Sequence, residues 1–192
     1  MEDGDDEVME ATYRALCEHG YAGLTVQDIA DRSEKSKSTL HYHYDTKREI
    51  LLAFLDYLYD GFEDRLRDTD ADTPAEEVVE VLSPRDDAVD EGFRTAILEM
   101  KAQSPYDEHI RGKLVEFDDA LADHLEGVVR RGVEDGVFRD DVEAASASEF
   151  LVTLGNGLRT RSVTVGKTHD ELRETVERYV ETRLVAGEEE DG

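Results

Sequence analysis

The chain has 192 residues, with 49 Asp or Glu against 22 Lys or Arg, for a formal charge of −27. The 39% of hydrophobic residues is enough to bury a core at this length, which excludes a disordered chain. No apolar run reaches the roughly 18 to 20 residues of a membrane span, and the acidic run Glu2 to Glu7 is unlike a secretion signal.

Cys17 is the one cysteine, so an intrachain disulfide and a cysteine zinc cage are excluded by counting. The cytoplasm is the expected compartment, with no membrane partner. Acid is spread along the chain rather than gathered in a tail, as in a protein adapted to concentrated intracellular salt. The other source of such a composition is an acidic protein that binds basic partners.

Three prolines leave long stretches free of breakers, and apolar residues recur at helical spacing in nearly all of them. The expected fold is all-α with about nine helices. The first runs from Asp6 to His19, with Val8, Ala11, Ala15 and Leu16 on one face and Gly20 stopping it. Thr25 caps a short helix over 26–32, in which Asp28 offers its carboxylate to the first amides and Ile29 and Ala30 face inward. A second short helix spans 37–44. A long one follows Asp45-Thr46, with Ile50, Leu51, Phe54, Leu55, Leu58 and Phe62 as its apolar stripe.

Asp70 to Pro74 is the clearest break, Thr73 capping a new helix with Pro74 at its first position. Further helices are expected at 74–82, 86–103, 105–135, 142–165 and 169–186, with a mobile tail from Gly187 and mobile first five residues. The expected organisation is a DNA-binding domain over 1–46 and a ligand-binding and dimerisation domain over 47–192.

Residues 32–48 carry the functional signal. Arg32, Lys35, Lys37, Lys47 and Arg48 outnumber Glu34 and Asp45 there, and three of the chain's six lysines lie in this stretch. Basic charge kept on one small helix pair points to a polyanion. Ser36, Ser38, Thr39, His41, Tyr42, His43 and Tyr44 add hydrogen-bonding groups for phosphates or base edges. Two short helices with a tight turn, the second polar and basic, fit a helix-turn-helix that enters the major groove.

The run Gly20-Tyr21-Ala22-Gly23-Leu24-Thr25-Val26-Gln27-Asp28-Ile29-Ala30, then Ser36 to Tyr44, Lys47 and Leu51, resembles the tetracycline-repressor (TetR) family of transcription regulators. The resemblance covers residues 8 to about 55, and the remaining helices match in number, length and order. It implies that Thr25 and Lys47 hold backbone phosphates. Lys35 and Ser36 would adjoin a recognition helix carrying Lys37, Ser38, Thr39, His41, Tyr42 and His43. Glu34 stands where the family has a turn glycine and Lys35 where it has a small apolar residue. A Glu held at positive φ would cost roughly 1 kcal/mol or more, so a rearranged turn is expected.

The resemblance further implies a homodimer through the last two helices, which carry Ala144, Ala147, Phe150, Leu151, Leu154 and Leu158, then Leu172, Val176, Tyr179, Val180 and Leu184. It also implies a mostly apolar cavity for a small-molecule effector. Its candidates are Phe54, Leu58, Phe62, Phe93, Ile97, Met100, Phe117, Leu121, Phe150, Leu154, Asn156 and Arg159, each of which also serves as ordinary core. Asn156 and Arg159 stand out, because a buried polar group needs a partner and a ligand carboxylate or amide supplies one. The stretch from Phe93 through Arg159 loosely resembles the choline-responsive repressor subgroup.

The expected function is a repressor that binds a near-palindromic operator in double-stranded DNA and is released by a small ligand. The alternative is an acidic helical ligand-binding or scaffold protein without specific DNA binding. Neither a cofactor nor a metal is expected: His41 and His43 stand two apart on a helix and diverge, and the other histidines are scattered. There is no phosphate loop, dinucleotide fingerprint or nucleophile elbow, so no enzyme is expected. Gly155-Asn156-Gly157 lies in a helical pattern and reads as close helix packing.

Overall fold

The computed structural model describes residues 3–83 and 91–186, and the side chains from Asp6 onward. The expected mobile tail from Gly187 lies outside the described residues, as does the expected start of the sixth helix at 86–90. The described residues form nine α-helices, and none is long and apolar enough to cross a membrane.

Helix α1 (Asp3–Gly23) is interrupted at Gly20, whose φ of 64° breaks the helical path one turn before the end. Only glycine adopts that angle without strain, which is why the stop was readable in the sequence. Helix α2 (Val26–Ala30) starts on a reciprocal cap: the Thr25 hydroxyl accepts from the Asp28 N–H, and the Asp28 carboxylate accepts from the Thr25 N–H. Helix α3 (Lys37–His43) is capped by Ser36 and leads into α4 (Lys47–Arg67).

Helix α5 (Pro74–Leu82) opens on the Thr73 cap with Pro74 in its first turn, as expected. Helices α6 (Glu91–Lys101), α7 (Glu108–Glu134) and α8 (Ala144–Thr164) follow. Helix α9 (His169–Tyr179) ends in a wider, π-type turn at Val180–Leu184. That turn replaces the last third of the helix expected over 169–186.

The chain forms two compact units that interleave in sequence: residues 1–63 with 88–117, and 64–87 with 118–192. Helices α4 and α7 each pass from one unit into the other. In the first unit α1 packs along α6, and the core joins Val8, Ala11, Ala15 and Leu16 of α1 to Ile29, Leu40, Ile50, Leu51, Phe54 and Met100. The expected inward faces of the first four helices are therefore the observed ones.

In the second unit the core is built from α5, the later turns of α7, α8 and α9. Leu172, Val176, Val180 and Leu184 are all buried within the chain itself. Gly155 is buried where α8 meets α5: a Cβ there would stand 2.9 Å from Leu82 Cδ2, so glycine permits the approach. The inward face of α8 is set by Ser148, Leu151, Val152, Gly155 and Leu158, which leaves Phe150 exposed.

Candidate nucleic-acid interface and inner polar site

Helix α3 buries one side chain, Leu40, and its other residues remain accessible. Lys37, Ser38, His41, Tyr42 and His43 are exposed, Tyr42 to 86%, with the rings of Tyr42 and His43 edge to face at 5.2 Å. Leu40 pins the helix to the core while the rest of its surface faces outward. That is the arrangement of a helix built to be read by a partner.

The turn before α3 reaches this geometry without a left-handed residue, since no non-glycine among the described residues has positive φ. Glu7 of α1 supplies the missing support. Its carboxylate accepts from the Ser33 hydroxyl at 2.8 Å and from the Glu34 N–H, while Lys35 N–H donates to Ser33 Oγ at 2.9 Å. The Glu34 N–H is the chief reason the Glu7 carboxyl lies below its ordinary pKa. The turn is thus rearranged, as expected from a Glu in place of glycine.

The five cations of 32–48 divide. Arg32 is paired with Glu18 and donates to Asp28 O at 2.8 Å. Arg48 grips Asp107, its Nη2 donating to Oδ1 at 2.7 Å and its Nε reaching Oδ2 at 2.5 Å. Asp107 also accepts from the N–H groups of His109 and Ile110, so it caps α7 and clamps α4 together. Lys47 Nζ donates to Tyr21 O at 3.0 Å and lies 5.1 Å from the centre of the Tyr21 ring. Lys35 and Lys37 have no ion pair among the described residues, and Lys37 is exposed beside the outward face of α3.

The remaining candidates on this surface are engaged locally. Thr25 is exposed and its hydroxyl donates to Asp28 at 2.6 Å. Ser36 Oγ accepts from Thr39 N–H at 3.1 Å and lies 2.7 and 2.8 Å from the hydroxyls of Ser38 and Thr39. Sequence reasoning missed Glu99 of α6, which accepts from the Tyr21 N–H at 2.7 Å and steadies the turn after Gly20.

The effector candidates fall into both units. In the first, Phe54 and Met100 are fully buried, Phe93 packs on Tyr13 and Phe54 at 4.6 and 6.1 Å, and Leu58 and Ile97 are half-buried. Phe62 and Phe117 pair at 5.4 Å, with Tyr59 on the far side of Phe117 at 5.2 Å.

In the second unit Leu121 is buried and Leu154 half-buried, while Phe150 stacks on Tyr179 at 4.8 Å. Phe150 and Arg159 stand nine residues apart, two and a half helical turns, so they point from opposite sides of α8. Asn156 Nδ2 donates to Asp118 Oδ1 at 3.2 Å. The Arg159 Nη1 lies 3.3 Å from where a Cβ on Gly155 would be, and Arg65 is close enough for its charge to act on Arg159. Arg65 was not among the expected residues. Residues 150–169 contain no Asp or Glu in a chain one quarter acidic, a signal that pointed to this segment of α8.

Comparison with known proteins finds two family models along the chain. Residues 8–54 match the model of bacterial regulatory proteins of the tetR family, and residues 71–185 match the C-terminal domain of BetI-type transcriptional repressors. A TetR transcription regulator from Haloarcula marismortui is 36% identical, with a TM-score of 0.85 over 96% of this chain and 100% of that one. The transcriptional repressor AcnR of Corynebacterium glutamicum is 26% identical over 181 residues, 92% of each chain. A transcriptional regulator from Saccharomonospora viridis, solved with choline, shares the fold at a TM-score of 0.83, with 23% identity and coverage of 97% and 100%.

Proposed function

The chain belongs to the TetR family of transcriptional regulators, and we propose that it represses transcription by binding a near-palindromic operator as a homodimer and letting go when a small molecule binds. The observation that carries this reading is α3: a helix pinned by Leu40 alone, with Lys37 unpaired at its outer surface in a chain of net charge −27.

Residues 1–46 form the DNA-binding part and 47–192 the effector and dimer part in this reading. Lys37 and the polar groups of Ser38, His41, Tyr42 and His43 contact the major groove. Lys47, turned onto Tyr21 O in the free chain, reaches phosphate only by leaving that carbonyl. The exposed Phe150–Tyr179 stack and Val165, 63% exposed, support a dimer through the last two helices. Two recognition helices then stand about 34 Å apart, one DNA turn. The cytoplasm is the compartment where such a protein meets DNA.

Selection of bound sequences from random duplexes, in dilute buffer and in about 2 M KCl, tests the reading. A near-palindromic motif is expected, with binding that persists or strengthens as salt rises, because screening relieves repulsion between DNA and the acidic surface. Lys37→Ala is expected to weaken binding and to flatten the salt slope by about one. A folded dimer that enriches no sequence would make the chain an acidic scaffold instead.

A further inference from the structure

Most arginines described in this acidic chain hold a carboxylate. On α4 alone Arg48 holds Asp107 and Arg67 holds Asp64, and α7 pairs Arg130 with Glu126 and Arg131 with Glu77. Arg65 and Arg159 break the pattern. They lie near one another, and among the described residues neither has an ion pair.

Arg159 has no acidic residue within helical reach on α8, since residues 150–169 lack carboxylates altogether. Its guanidinium folds back over Gly155, where any side chain would displace it, and Gly155 itself is buried against Leu82. The guanidinium keeps accessible surface, yet protein atoms surround it closely. Burial first, and the charge of Arg65 second, push its pKa below the ordinary arginine value. A side chain that is both accessible and enclosed faces a space within the fold that a small molecule can enter.

Arginine stays charged under all ordinary conditions, so this repulsion is not relieved by losing a proton. An oxyanion relieves it. A carboxylate or phosphate head accepts paired N–H bonds from a guanidinium fork and neutralises charge that the fold leaves uncompensated.

We propose that the effector is a small anion whose carboxylate or phosphate head sits with Arg65 and Arg159. This rests on the reading of the chain as an effector-controlled repressor. It also separates the chain from the choline-bound neighbour, because a quaternary ammonium would add a third positive charge beside two guanidiniums. Asn156, one turn before Arg159 and already donating to Asp118, positions the approach on the same helix without supplying charge.

The test uses the full chain at constant KCl, with inorganic phosphate, octanoate and choline as probes and the melting temperature as readout. Phosphate or octanoate is expected to raise the melting temperature of the wild type saturably, and choline to leave it unchanged. Arg159→Gln and Arg65→Gln, on different helices, should each require at least tenfold more anion for the same rise. Without added anion both variants should melt at or above the wild type, because each removes half of a repulsive pair. The proposal is overturned if neither anion acts on the wild type, if the variants respond as the wild type does, if both melt lower, or if choline stabilises. Operator selection on the same preparations separates the two readings. An enriched palindrome with no anion response removes the anion site and leaves the repressor, whereas an anion response without enrichment does the reverse.

Discussion

The two ends of α4 carry arginines of opposite circumstance. At its start Arg48 is held by both oxygens of Asp107, which is itself fixed as the cap of α7. Near its end Arg65 meets another guanidinium, Arg159, and no carboxylate among the described residues. In a chain where acids outnumber bases by more than two to one, pairing is the easy outcome and its absence is the informative one. The first end is finished by the protein, and the second is left for something else to finish.

The largest effect expected on this contrast comes from Asp107→Lys, which turns the clamp into a like-charge contact and removes the α7 cap. A cap of this type contributes about 1 kcal/mol, and the repulsion adds to its loss, so a clear drop in the thermal midpoint is expected. Gly155→Ala attacks the other end. Its Cβ would stand 2.9 Å from Leu82 Cδ2 and 3.3 Å from Arg159 Nη1, and overpacking of this kind costs about 1–3 kcal/mol in denaturant titrations. A fully stable Gly155→Ala variant would mean that α5 and α8 adjust freely around Arg159.

Asp107→Asn keeps an acceptor for the cap but removes the charge facing Arg48. A smaller loss than for Asp107→Lys is expected, and a double-mutant cycle with Arg48→Gln should show favourable coupling that fades with salt. Equal losses for the two substitutions at Asp107 would assign its role to the cap alone.

The smallest effect concerns pH. The Arg48 guanidinium, the leading cause, holds the Asp107 carboxyl well below its ordinary value of 3.8. A carboxyl lowered by folding contributes stability above its unfolded pKa, and loses it as pH falls through the folded one. Arg48→Gln should therefore shrink the loss of stability below about pH 4, whereas Arg159→Gln should leave that acid limb unchanged. A reciprocal box at α9 behaves in the same way: Lys167 and the Thr168 cap hold Glu171 at about 2, against 4.5, so its support fades between those values as acid is added. Thermal melts across pH 2 to 6 distinguish these contributions.

Much of the fold follows from local patterns. The stop at Gly20, the caps at Thr25, Ser36, Thr73 and Thr168, and the stripe Ile50-Leu51-Phe54-Leu55 are short-range features, and the structure places each in its expected role. The exposed polar face of α3 was legible for the same reason. The division of its cations was not: whether Arg48 serves DNA or Asp107 depends on a residue 59 positions away. The face of α8 was read with Phe150 inward, because hydrophobicity alone ranks it above Ser148. Instead Ser148 is buried, its hydroxyl donating to Ala145 O at 2.9 Å, and Phe150 stands 47% exposed on Tyr179.

The sequence by itself determined an all-helical chain with a helix-turn-helix near its start, because periodicity, caps and breakers act within a few residues of one another. It determined the family as well, through motifs that are contiguous. Tertiary structure decided which charges are spent. Glu7 supports the turn where glycine was absent, Asp107 consumes Arg48, Tyr21 holds Lys47, and Arg65 meets Arg159. Charge acts through space and takes no account of chain order, so pairing across 26 to 94 positions is settled only when the helices pack.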